Sequence, residues 1–230
     1  MILTIIPARS GTKGLKNKNI LKISNKTLID HRIDMIKKAN LKDNQIILST
    51  DSKKYKKLYE KKILVPFLRP KNLALDKSET FPLLLHSLNF FKKKNQFFKY
   101  LILLEPPTPF LKPSCLKKGL NLLKKKDADM VSSISETEIN SNFISIIGKN
   151  HNLNLMMKKI DKISKYQRQS FLKEYRMDGG FYIFKVSYLE GTKKLFCSKM
   201  KAYGIKINRV DGFNIETNDD LKIARCMNQK

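Results

Sequence analysis

The residues best suited to chemistry stand together near the start of the chain. An apolar run, Ile2 to Ile6, leads into Pro7-Ala8-Arg9-Ser10-Gly11-Thr12-Lys13-Gly14, and the stretch Lys16-Asn17-Lys18-Asn19 follows. The glycines at 11 and 14 permit backbone conformations that other residues avoid, so successive N–H groups can turn toward an anion. The nearby cations are Arg9, Lys13, Lys16 and Lys18. This pattern predicts a phosphate-binding loop after a buried strand, suited to a ligand such as a triphosphate.

The loop differs from two common phosphate-binding motifs. It has neither the Gly-x-x-x-x-Gly-Lys-Ser/Thr pattern of the Walker A loop nor the Gly-x-Gly-x-x-Gly pattern of dinucleotide-binding folds. Short loops of glycine and lysine are common, so a basic surface turn after an edge strand is the alternative interpretation of this stretch when it is taken alone.

Further motifs along the chain make the prediction more specific. Residues 6–20 read Ile-Pro-Ala-Arg-Ser-Gly-Thr-Lys-Gly-Leu-Lys-Asn-Lys-Asn-Ile. Other pieces follow in order: Leu48-Ser49-Thr50-Asp51, Arg69-Pro70-x-x-Leu73-Ala74-x-Asp76, Leu103 to Pro109, Arg168-Gln169, Asp178 to Ile183 and Asn214-Ile215-Glu216-Thr217. Over nearly its whole length the chain resembles the acylneuraminate cytidylyltransferase family, which activates nine-carbon acidic sugars such as N-acetylneuraminate and legionaminate. That family opens with a motif like Ile-Pro-Ala-Arg-Gly-Gly-Ser-Lys-Gly-Ile-Pro-x-Lys-Asn-Ile.

The resemblance implies an enzyme that transfers CMP from CTP to a nonulosonic acid and releases pyrophosphate. It implies an α/β fold of the Rossmann-like nucleotide-diphospho-sugar transferase type, with a mostly parallel central sheet flanked by helices and a protruding dimerisation segment. The implied nucleotide-binding residues are Ala8, Arg9, Ser10, Gly11, Lys18, Asn19, Arg69, Asp76 and Ser78. Arg9 and Lys18 are also the implied catalytic residues, because cations beside a leaving phosphate stabilise the charge of the transition state.

The usual metal motif of the family is altered in this chain. Where the family usually has Asp-x-Asp, whose acidic oxygens suit Mg²⁺, this chain has Asn214 and Glu216. An amide and a longer carboxylate can still coordinate a cation, with less negative charge. We therefore expect Mg²⁺ or another divalent cation at Asn214 and Glu216. The alternative role for the acidic residues of this stretch is helix capping, with Asp220 at the start of the last helix.

The acceptor side departs from the family as well. The usual Gln-Pro-Thr-Ser-Pro-Leu-Arg is Glu105 to Leu111 here, so glutamate replaces glutamine and an arginine is lost. By resemblance, the sugar-binding residues are Glu105, Arg168, Gln169 and Tyr182. Arg168 is suited to a bidentate contact with the sugar carboxylate. An ionised Glu105 only accepts hydrogen bonds, which favours an acceptor with additional N–H donors, such as legionaminate. The alternative is that Glu105 pairs with a nearby lysine and does not contact the sugar.

Composition limits the other possibilities. The 230 residues suffice for a single cytidylyltransferase domain over 1–230, and the longest apolar runs fall far short of the roughly 20 residues that cross a bilayer. The start of the chain lacks the features of a secretory signal, so we expect a cytoplasmic protein with no membrane partner. The three cysteines and three histidines are scattered, which argues against a zinc site.

The net charge of +27 raises the question of a nucleic-acid partner. Only seven of the 47 basic residues are arginine, whereas base and phosphate recognition favours the fixed fork of arginine. The lysines are spread along the whole chain, which is typical of solvated helix faces. The sequence therefore predicts no specific nucleic-acid partner, and only non-specific attraction to polyanions at low salt.

Alternating strands and helices must position these motifs. Apolar periodicity predicts strands at 2–6, 45–50, 100–104, 129–133, 180–186 and 200–207, and helices at 30–39, 52–61, 81–91, 114–126 and 219–226. Such alternation predicts a layered α/β fold in which Arg9, Asp51 and Glu105 meet at the carboxyl ends of strands. Residues from about 135 to 175 lose periodicity. The resemblance implies that this excursion forms a homodimer and lends residues to the partner's sugar pocket; a long floppy loop is the alternative.

Three functions are compatible with the sequence. The first is CMP transfer from CTP to a nonulosonic acid. The second is a related nucleotidyl transfer to another acidic sugar such as 3-deoxy-manno-octulosonate, and the third is a non-catalytic basic module that binds nucleic acid. The first accounts for the largest number of motifs.

Overall fold

The computed structural model describes residues 1–11, 14–163 and 171–227. The strands within these residues are β1 (Ile2–Pro7), β2 (Lys22–Ile23), β3 (Lys26–Thr27), β4 (Asn44–Ser49), β5 (Tyr100–Leu103), β6 (Met130–Glu136), β7 (Tyr175–Lys185) and β8 (Ala202–Lys206). The helices are α1 (Leu28–Ala39), α2 (Lys53–Tyr59), α3 (Thr80–Lys92), α4 (Pro113–Lys126), α5 (Asn154–Ile160), α6 (Val186–Thr192) and α7 (Asn218–Met227). Within these ranges no helix is both long and apolar enough to span a membrane.

Six strands form one sheet in the order β4-β1-β5-β7-β6-β8. Strand β1 pairs in parallel with β4 and β5, and β6 pairs in parallel with β8. Strand β7 lies between β5 and β6 and is antiparallel to both. The expected α/β fold with a mostly parallel sheet is confirmed. One long antiparallel strand at the centre of the sheet separates its two parallel parts.

Helices cover both faces of the sheet because successive side chains of a strand point to opposite faces. On one face, Ile6 and Ile102 belong to a core cluster that α1 and α4 complete. On the other face, Leu3, Ile5 and Leu101 belong to a cluster that includes residues of α3 and α6. The apolar runs of β1 and β5 are therefore buried on both sides, as expected for inner strands of a layered α/β sheet.

Helix α1 has a well-defined start and end. The hydroxyl of Thr27 accepts a hydrogen bond from the N–H of Asp30 at 3.1 Å, and the Asp30 carboxylate accepts one from the N–H of Thr27 at 3.2 Å. This reciprocal pair is a capping box. The helix ends before Asn40, whose backbone is left-handed, a frequent way to terminate a helix. These ends fix which residues of α1 face the sheet.

A third, smaller core cluster anchors the region after β1 against the end of the chain. A Cβ built on Gly14 would lie 3.4 Å from the carbonyl oxygen of Glu216, so the two segments run closely past each other. Residues from after β1 and from before α7 are thereby held side by side. The buried members of the cluster are Leu15, Ile23, Leu28, Ile215, Leu221 and Ala224.

Most of the structure that periodicity did not predict lies in the second half of the chain. Strands β6 and β7 continue as a ribbon to the pair Glu136 and Tyr175, so β7 begins at Tyr175 rather than at 180. The excursion of residues 137–174 joins the two ends of this ribbon, and its described part contains two 3₁₀ turns and helix α5. The hairpin of β2 and β3 and helix α6 are further elements outside the predicted set.

Candidate functional site

A cleft of about 270 Å³ opens where β1 and β5 end at their carboxyl sides. Ligands of open α/β sheets bind at this edge. The cleft brings together residues that are far apart in the sequence. The predicted site residues in its lining are Arg9, Lys18, Asn19, Arg69, Asp76, Ser78, Glu105 and Glu216. Ala8, Ser10, Gly11, Tyr182 and Asn214 are not part of this lining.

The backbone after β1 is fixed to its surroundings at two points. The N–H of Ala8 donates to the carbonyl of Ser49 at 2.9 Å, which extends the pairing of β1 with β4 by one residue. The side-chain amide of Asn19 donates to the carbonyl of Arg9 at 2.9 Å. Asn19 is buried, so it holds the loop from within. Its observed partner is the loop itself, and a contact of Asn19 with a phosphate stays a prediction.

Asp51 fixes the next residue of this loop. Its carboxylate accepts hydrogen bonds from the N–H of Ser10 at 2.9 Å and from the hydroxyl of Ser10 at 2.8 Å. Hydrogen bonds to an ionised carboxylate are stronger than those between neutral groups. The donors of Ser10 are therefore directed at Asp51, and among the described residues of the loop the charged groups in the cleft wall are Arg9 and Lys18.

The two glycines of the loop differ in their surroundings. Among the glycines of the described residues, a positive φ occurs only at Gly179, at 74°, and not at Gly11 or Gly14. A Cβ built on Gly11 would meet no atom within 4 Å. That these glycines let N–H groups of the loop turn toward an anion stays a prediction. Gly14 runs close to the segment before α7, and Gly11 has open space beside it.

Two ion pairs hold the cations of the loop. Nη1 of Arg9 lies 2.7 Å from Oδ1 of Asp76, and Nζ of Lys18 lies 2.8 Å from Oε2 of Glu216. The Lys18 side chain is only 13% exposed, whereas the Glu216 side chain is 60% exposed. Each cation thus faces the cleft beside a more accessible carboxylate. An incoming anionic ligand would compete with these carboxylates for the cations.

Arg69 forms the wall of the cleft beside β4. It is buried, its Nε donates to the hydroxyl of Ser49 at 3.2 Å, and its Nη2 donates to the carbonyl of Ser49. Burial lowers the pKa of the Arg69 guanidinium to about 10, partly offset by the nearby Asp51 carboxylate. The hydroxyl of Ser78 donates to the carbonyl of Asn72 at 2.7 Å. Both predicted nucleotide residues therefore lie at the cleft and also shape its wall.

The predicted sugar-binding residues within the described ranges, Glu105 and Tyr182, interact electrostatically. A Cβ built on Gly179 would be 3.4 Å from Oε2 of Glu105, so the Glu105 carboxylate rests beside that glycine. Burial raises the pKa of Glu105, while the Arg32 guanidinium opposes the rise and Glu216 adds to it. Burial also raises the pKa of Tyr182 to about 12, with contributions from Glu105 and Asp178. Arg168 and Gln169 lie outside the described residues.

The predicted metal ligands flank the buried Ile215. Oδ1 of Asn214 is buried and has no hydrogen-bond partner among the described residues, whereas Glu216 lines the cleft. Asp220 plays the capping role. Its Oδ2 accepts hydrogen bonds from the N–H groups of Glu216 and Thr217, at 3.0 and 2.8 Å. Within residues 1–11, 14–163 and 171–227, no group of three or more His, Cys, Asp or Glu side chains could hold a metal ion.

Two polar groups under the cleft were not assigned a role by the sequence. Arg32 of α1 is fully buried and donates to the carbonyls of Glu105 and Gly180. Asp178 is buried and accepts from the hydroxyl of Ser133 and, at 2.9 Å, from the N–H of Gly180. The available signal was an arginine on the apolar face of an amphipathic helix, among Ile29, Ile33 and Ile36.

Several known proteins resemble this chain in sequence. It is 29% identical over 230 residues to the N-acylneuraminate cytidylyltransferase of Escherichia coli O18:K1:H7, an alignment that covers 100% of this chain and 52% of that protein. It is 27% identical over 201 residues to the CMP-N,N'-diacetyllegionaminic acid synthase of Legionella pneumophila, covering 87% of this chain and 84% of that protein. The chain thus spans about half the length of the N-acylneuraminate cytidylyltransferases it matches.

The fold is also known from solved structures. The chain superposes on CMP:2-keto-3-deoxy-manno-octonic acid synthetase complexed with CTP with a TM-score of 0.70, at 12% identity, covering 98% of this chain and 97% of that one. At this identity the likeness concerns the fold. A sequence profile described as cytidylyltransferase matches residues 3–226, nearly the entire chain. Together with the cations and carboxylates of the cleft, this match shows that the chain belongs to the cytidylyltransferase family.

Proposed function

We propose that this protein transfers CMP from CTP to a nonulosonic acid of the sialic or legionaminic type. A hydroxyl oxygen of the sugar forms a bond to the α-phosphorus of CTP, the bond from that phosphorus to the β-phosphate bridge breaks, and pyrophosphate leaves. The hydroxyl proton is lost to solvent or a nearby acceptor. The observation that carries the proposal is the placement of Arg9, Lys18 and Arg69 around one cleft at the carboxyl ends of the strands.

The nucleotide side needs alignment and charge neutralisation, which dominate phosphoryl-type transfer. Arg9 and Lys18 are assigned to the phosphates, where they stabilise the negative charge that grows on the leaving pyrophosphate. Both cations already form ion pairs with carboxylates. A bound triphosphate would replace these carboxylates as the partner of cations that the fold holds in place. Arg69, Asp76 and Ser78 are assigned to the cytidine and ribose, together with backbone groups near Ala8.

A divalent cation, most simply Mg²⁺, is proposed at Asn214 and Glu216. The donor set fits such an ion: Asn214 has a buried oxygen without a partner among the described residues, and Glu216 has an accessible carboxylate. Mg²⁺ commonly takes one or two carboxylate ligands and completes its shell with water and substrate phosphates. When bound, the ion would neutralise phosphate charge. Glu216, once it serves as a ligand, would release Lys18 toward the phosphates.

The acceptor side is assigned to Glu105, Tyr182, Arg168 and Gln169. Glu105 lies in the cleft wall, and Tyr182 lies close enough for the Glu105 charge to affect its pKa. Glutamate at 105 only accepts hydrogen bonds, which favours a sugar that presents an additional amide N–H. We therefore propose legionaminate, or a sugar with the same amide pattern, as a better acceptor than N-acetylneuraminate.

The excursion of residues 137–174 is proposed as the surface of a homodimer. It carries exposed apolar side chains, among them Ile146 at 76% and Ile147 at 60% exposure, at the end of the ribbon of β6 and β7. Large exposed apolar patches mark interaction surfaces. A second copy would cover them and bring its own excursion toward the first copy's acceptor side. CTP is a cytoplasmic metabolite, so we place the reaction in the cytoplasm.

The decisive experiment measures pyrophosphate release. The purified protein is given CTP, ATP, GTP or UTP together with N-acetylneuraminate, legionaminate or 3-deoxy-manno-octulosonate, and CMP-sugar formation is followed by mass spectrometry. Release with CTP and a nonulosonic acid is expected. Release with 3-deoxy-manno-octulosonate alone would replace the acceptor assignment, and absence of release together with salt-sensitive RNA binding would replace the enzyme by a nucleic-acid-binding module.

A further inference from the structure

Arg32 is a buried cation with an unusual set of partners. It is 0% exposed, its Nε donates to the carbonyl of Glu105 at 2.7 Å, and its Nη2 donates to the carbonyl of Gly180 at 2.9 Å. Its third nitrogen, Nη1, has no hydrogen-bond partner among the described residues. Arg32 therefore joins the chain that follows β5 to the middle of β7. The first of these two segments lines the cleft with Glu105, Pro106 and Pro107.

The Glu105 carboxylate lies within this same arrangement. Its Oε2 would be 3.4 Å from a Cβ built on Gly179. Gly179 directly precedes Gly180, whose carbonyl accepts a hydrogen bond from Arg32. Gly179 has a left-handed backbone with φ of 74°, and its own carbonyl accepts a hydrogen bond from the hydroxyl of Thr108 at 3.1 Å. Thr108 and Arg32 thus fix two successive carbonyls, those of Gly179 and Gly180. The position of the Glu105 side chain depends on that backbone.

A buried guanidinium needs negative charge nearby, since an uncompensated buried ion is strongly unfavourable. Burial lowers the pKa of Arg32 to about 9. Two carboxylates oppose this effect, Glu105 more strongly than Asp178. Asp178 uses its Oδ1 for the hydroxyl of Ser133 and the N–H of Gly180, whereas its Oδ2 has no hydrogen-bond partner among the described residues. Glu105 is the one of the two whose side chain lines the cleft.

We propose that Arg32 is a positioning residue for the acceptor side of the cleft, which holds the Glu105 segment in place and balances the Glu105 charge. This inference rests on the proposed function for its effect on the acceptor, but the hydrogen bond from Arg32 to the carbonyl of Glu105 is a property of the fold itself. The positive charge of Arg32 lowers the free-energy cost of a carboxylate at position 105. Without the cation, a neutral side chain at that position would be favoured.

The other charged groups around Glu105 must be kept constant in any test. Lys18 lowers the pKa of Glu105 and Glu216 raises it. The Asp178 carboxylate raises the pKa of Arg32. A double-mutant cycle meets this requirement, because the effects of these neighbours are present in both backgrounds and cancel. The cycle uses the intact chain, Arg32→Met, Glu105→Gln and the double variant. Arg32→Lys retains the positive charge but replaces the planar guanidinium, which donates to two carbonyls, by a single ammonium group.

The first readout is the unfolding midpoint, which does not depend on activity. Arg32→Met removes two hydrogen bonds to carbonyls in either background. With Glu105 it also removes a positive charge near the half-buried Glu105 carboxylate, so the midpoint should fall by about 5 °C more than it does with Gln at 105. Equal decreases in both backgrounds would overturn the pairing. As a control for arginine removal, Arg225→Met removes an exposed arginine that donates to the carbonyl of Lys22.

The second readout is the Michaelis constant for the acceptor, measured at saturating CTP. Arg32→Met should raise it roughly tenfold when residue 105 is Glu and less than about threefold when it is Gln, with the constant for CTP changed by less than about twofold. Arg32→Lys should recover part of the loss. Parallel increases for CTP and acceptor, or identical increases in both backgrounds, would make Arg32 merely structural. If the intact chain shows no turnover with any acidic sugar, the proposed function fails, and the unfolding cycle still decides the pairing.

Discussion

The two sides of the cleft are built in different ways. On the nucleotide side, Arg9 is paired with Asp76, Ser10 with Asp51 and Arg69 with Ser49. On the acceptor side, Asp178 keeps a buried oxygen without a partner among the described residues, and Glu105 carries a raised pKa caused first by burial. The comparison teaches that the residues assigned to the nucleotide are held in place by contacts within the chain. The acceptor side has polar capacity left that a ligand, an ion or a second copy can satisfy.

The largest expected effect tests the nucleotide side. Lys18→Ala and Arg9→Ala should each lower the turnover number by roughly 10² to 10³, because each removes a cation that stabilises the leaving phosphates and not the core. Steady-state rates of pyrophosphate release measure the effect, and far-ultraviolet circular dichroism verifies the fold. Lys22→Ala is a control, since Lys22 is exposed and does not line the cleft. Near-normal turnover in both cleft variants would end the assignment of phosphate contacts to this loop.

The next effect tests whether the acceptor side depends on a second copy. Ile146→Glu combined with Ile147→Glu should weaken dimerisation roughly a hundredfold, because burying each isoleucine contributes about 1.5–3 kcal/mol. Sedimentation velocity over a range of concentrations measures the change. The matched control is Phe97→Glu, which alters a 62% exposed apolar residue outside the excursion. A monomer in the unaltered protein, or a dimer unaffected by the double variant, would contradict the proposed surface.

Asp51 tests how far the nucleotide side is organised in advance. Asp51→Asn leaves one oxygen to accept from Ser10 where the carboxylate offers two, so kcat/KM for CTP should fall about tenfold, as for the loss of a hydrogen bond to a charged group. The acceptor constant should change little. Asp43→Asn serves as a control because Asp43 is exposed and precedes β4. An unchanged kcat/KM for CTP would mean that the ligand, and not Asp51, sets the loop position.

A divalent cation would connect the two sides. Glu216→Gln should raise the Mg²⁺ concentration for half-maximal rate roughly tenfold, because it removes the carboxylate from a site that has few of them. Binding of Mn²⁺ in the presence of CTP, followed by electron paramagnetic resonance, gives a second measurement that does not require turnover.

Asp219→Asn is the control for this cation test, since that side chain is exposed and pairs with Lys222. Activity that survives EDTA would exclude the cation. If only Asp220→Asn raised the Mg²⁺ concentration for half-maximal rate, the cation ligand would be Asp220, four positions after Glu216.

The smallest expected effect concerns acceptor choice. In the unaltered protein, kcat/KM should be higher with legionaminate than with N-acetylneuraminate, and Glu105→Gln should shift that ratio toward N-acetylneuraminate by roughly fivefold, the size of one hydrogen bond. Rates with both sugars at fixed CTP measure the ratio. Equal ratios in the two proteins would remove Glu105 from the choice of acceptor, leaving only its pairing with Arg32.

Much of the fold was predictable because it depends on local patterns. The apolar runs at 2–6 and 100–104 became β1 and β5, and the amphipathic pattern of 114–126 became α4. Periodicity indicates which face of an element is buried, but it carries no information on the direction of its neighbour. The antiparallel setting of β7 and the ribbon it forms with β6 were therefore not predictable from the pattern, since they depend on pairing between distant segments.

The sequence by itself determined the strand and the cationic loop after it, the motifs of the family and the departures at 105 and 214. These follow from residue types at short spacing. Tertiary structure alone decided which groups meet: Ser10 and Asp51 are 41 positions apart, Arg32 and Glu105 are 73 apart, and Arg32 and Gly180 are 148 apart. A hydrogen bond depends on distances of a few ångströms between atoms. The pairing of β1 with β4 brings Ser10 to Asp51, and the packing of α1 against the sheet brings Arg32 to the carbonyls of Glu105 and Gly180.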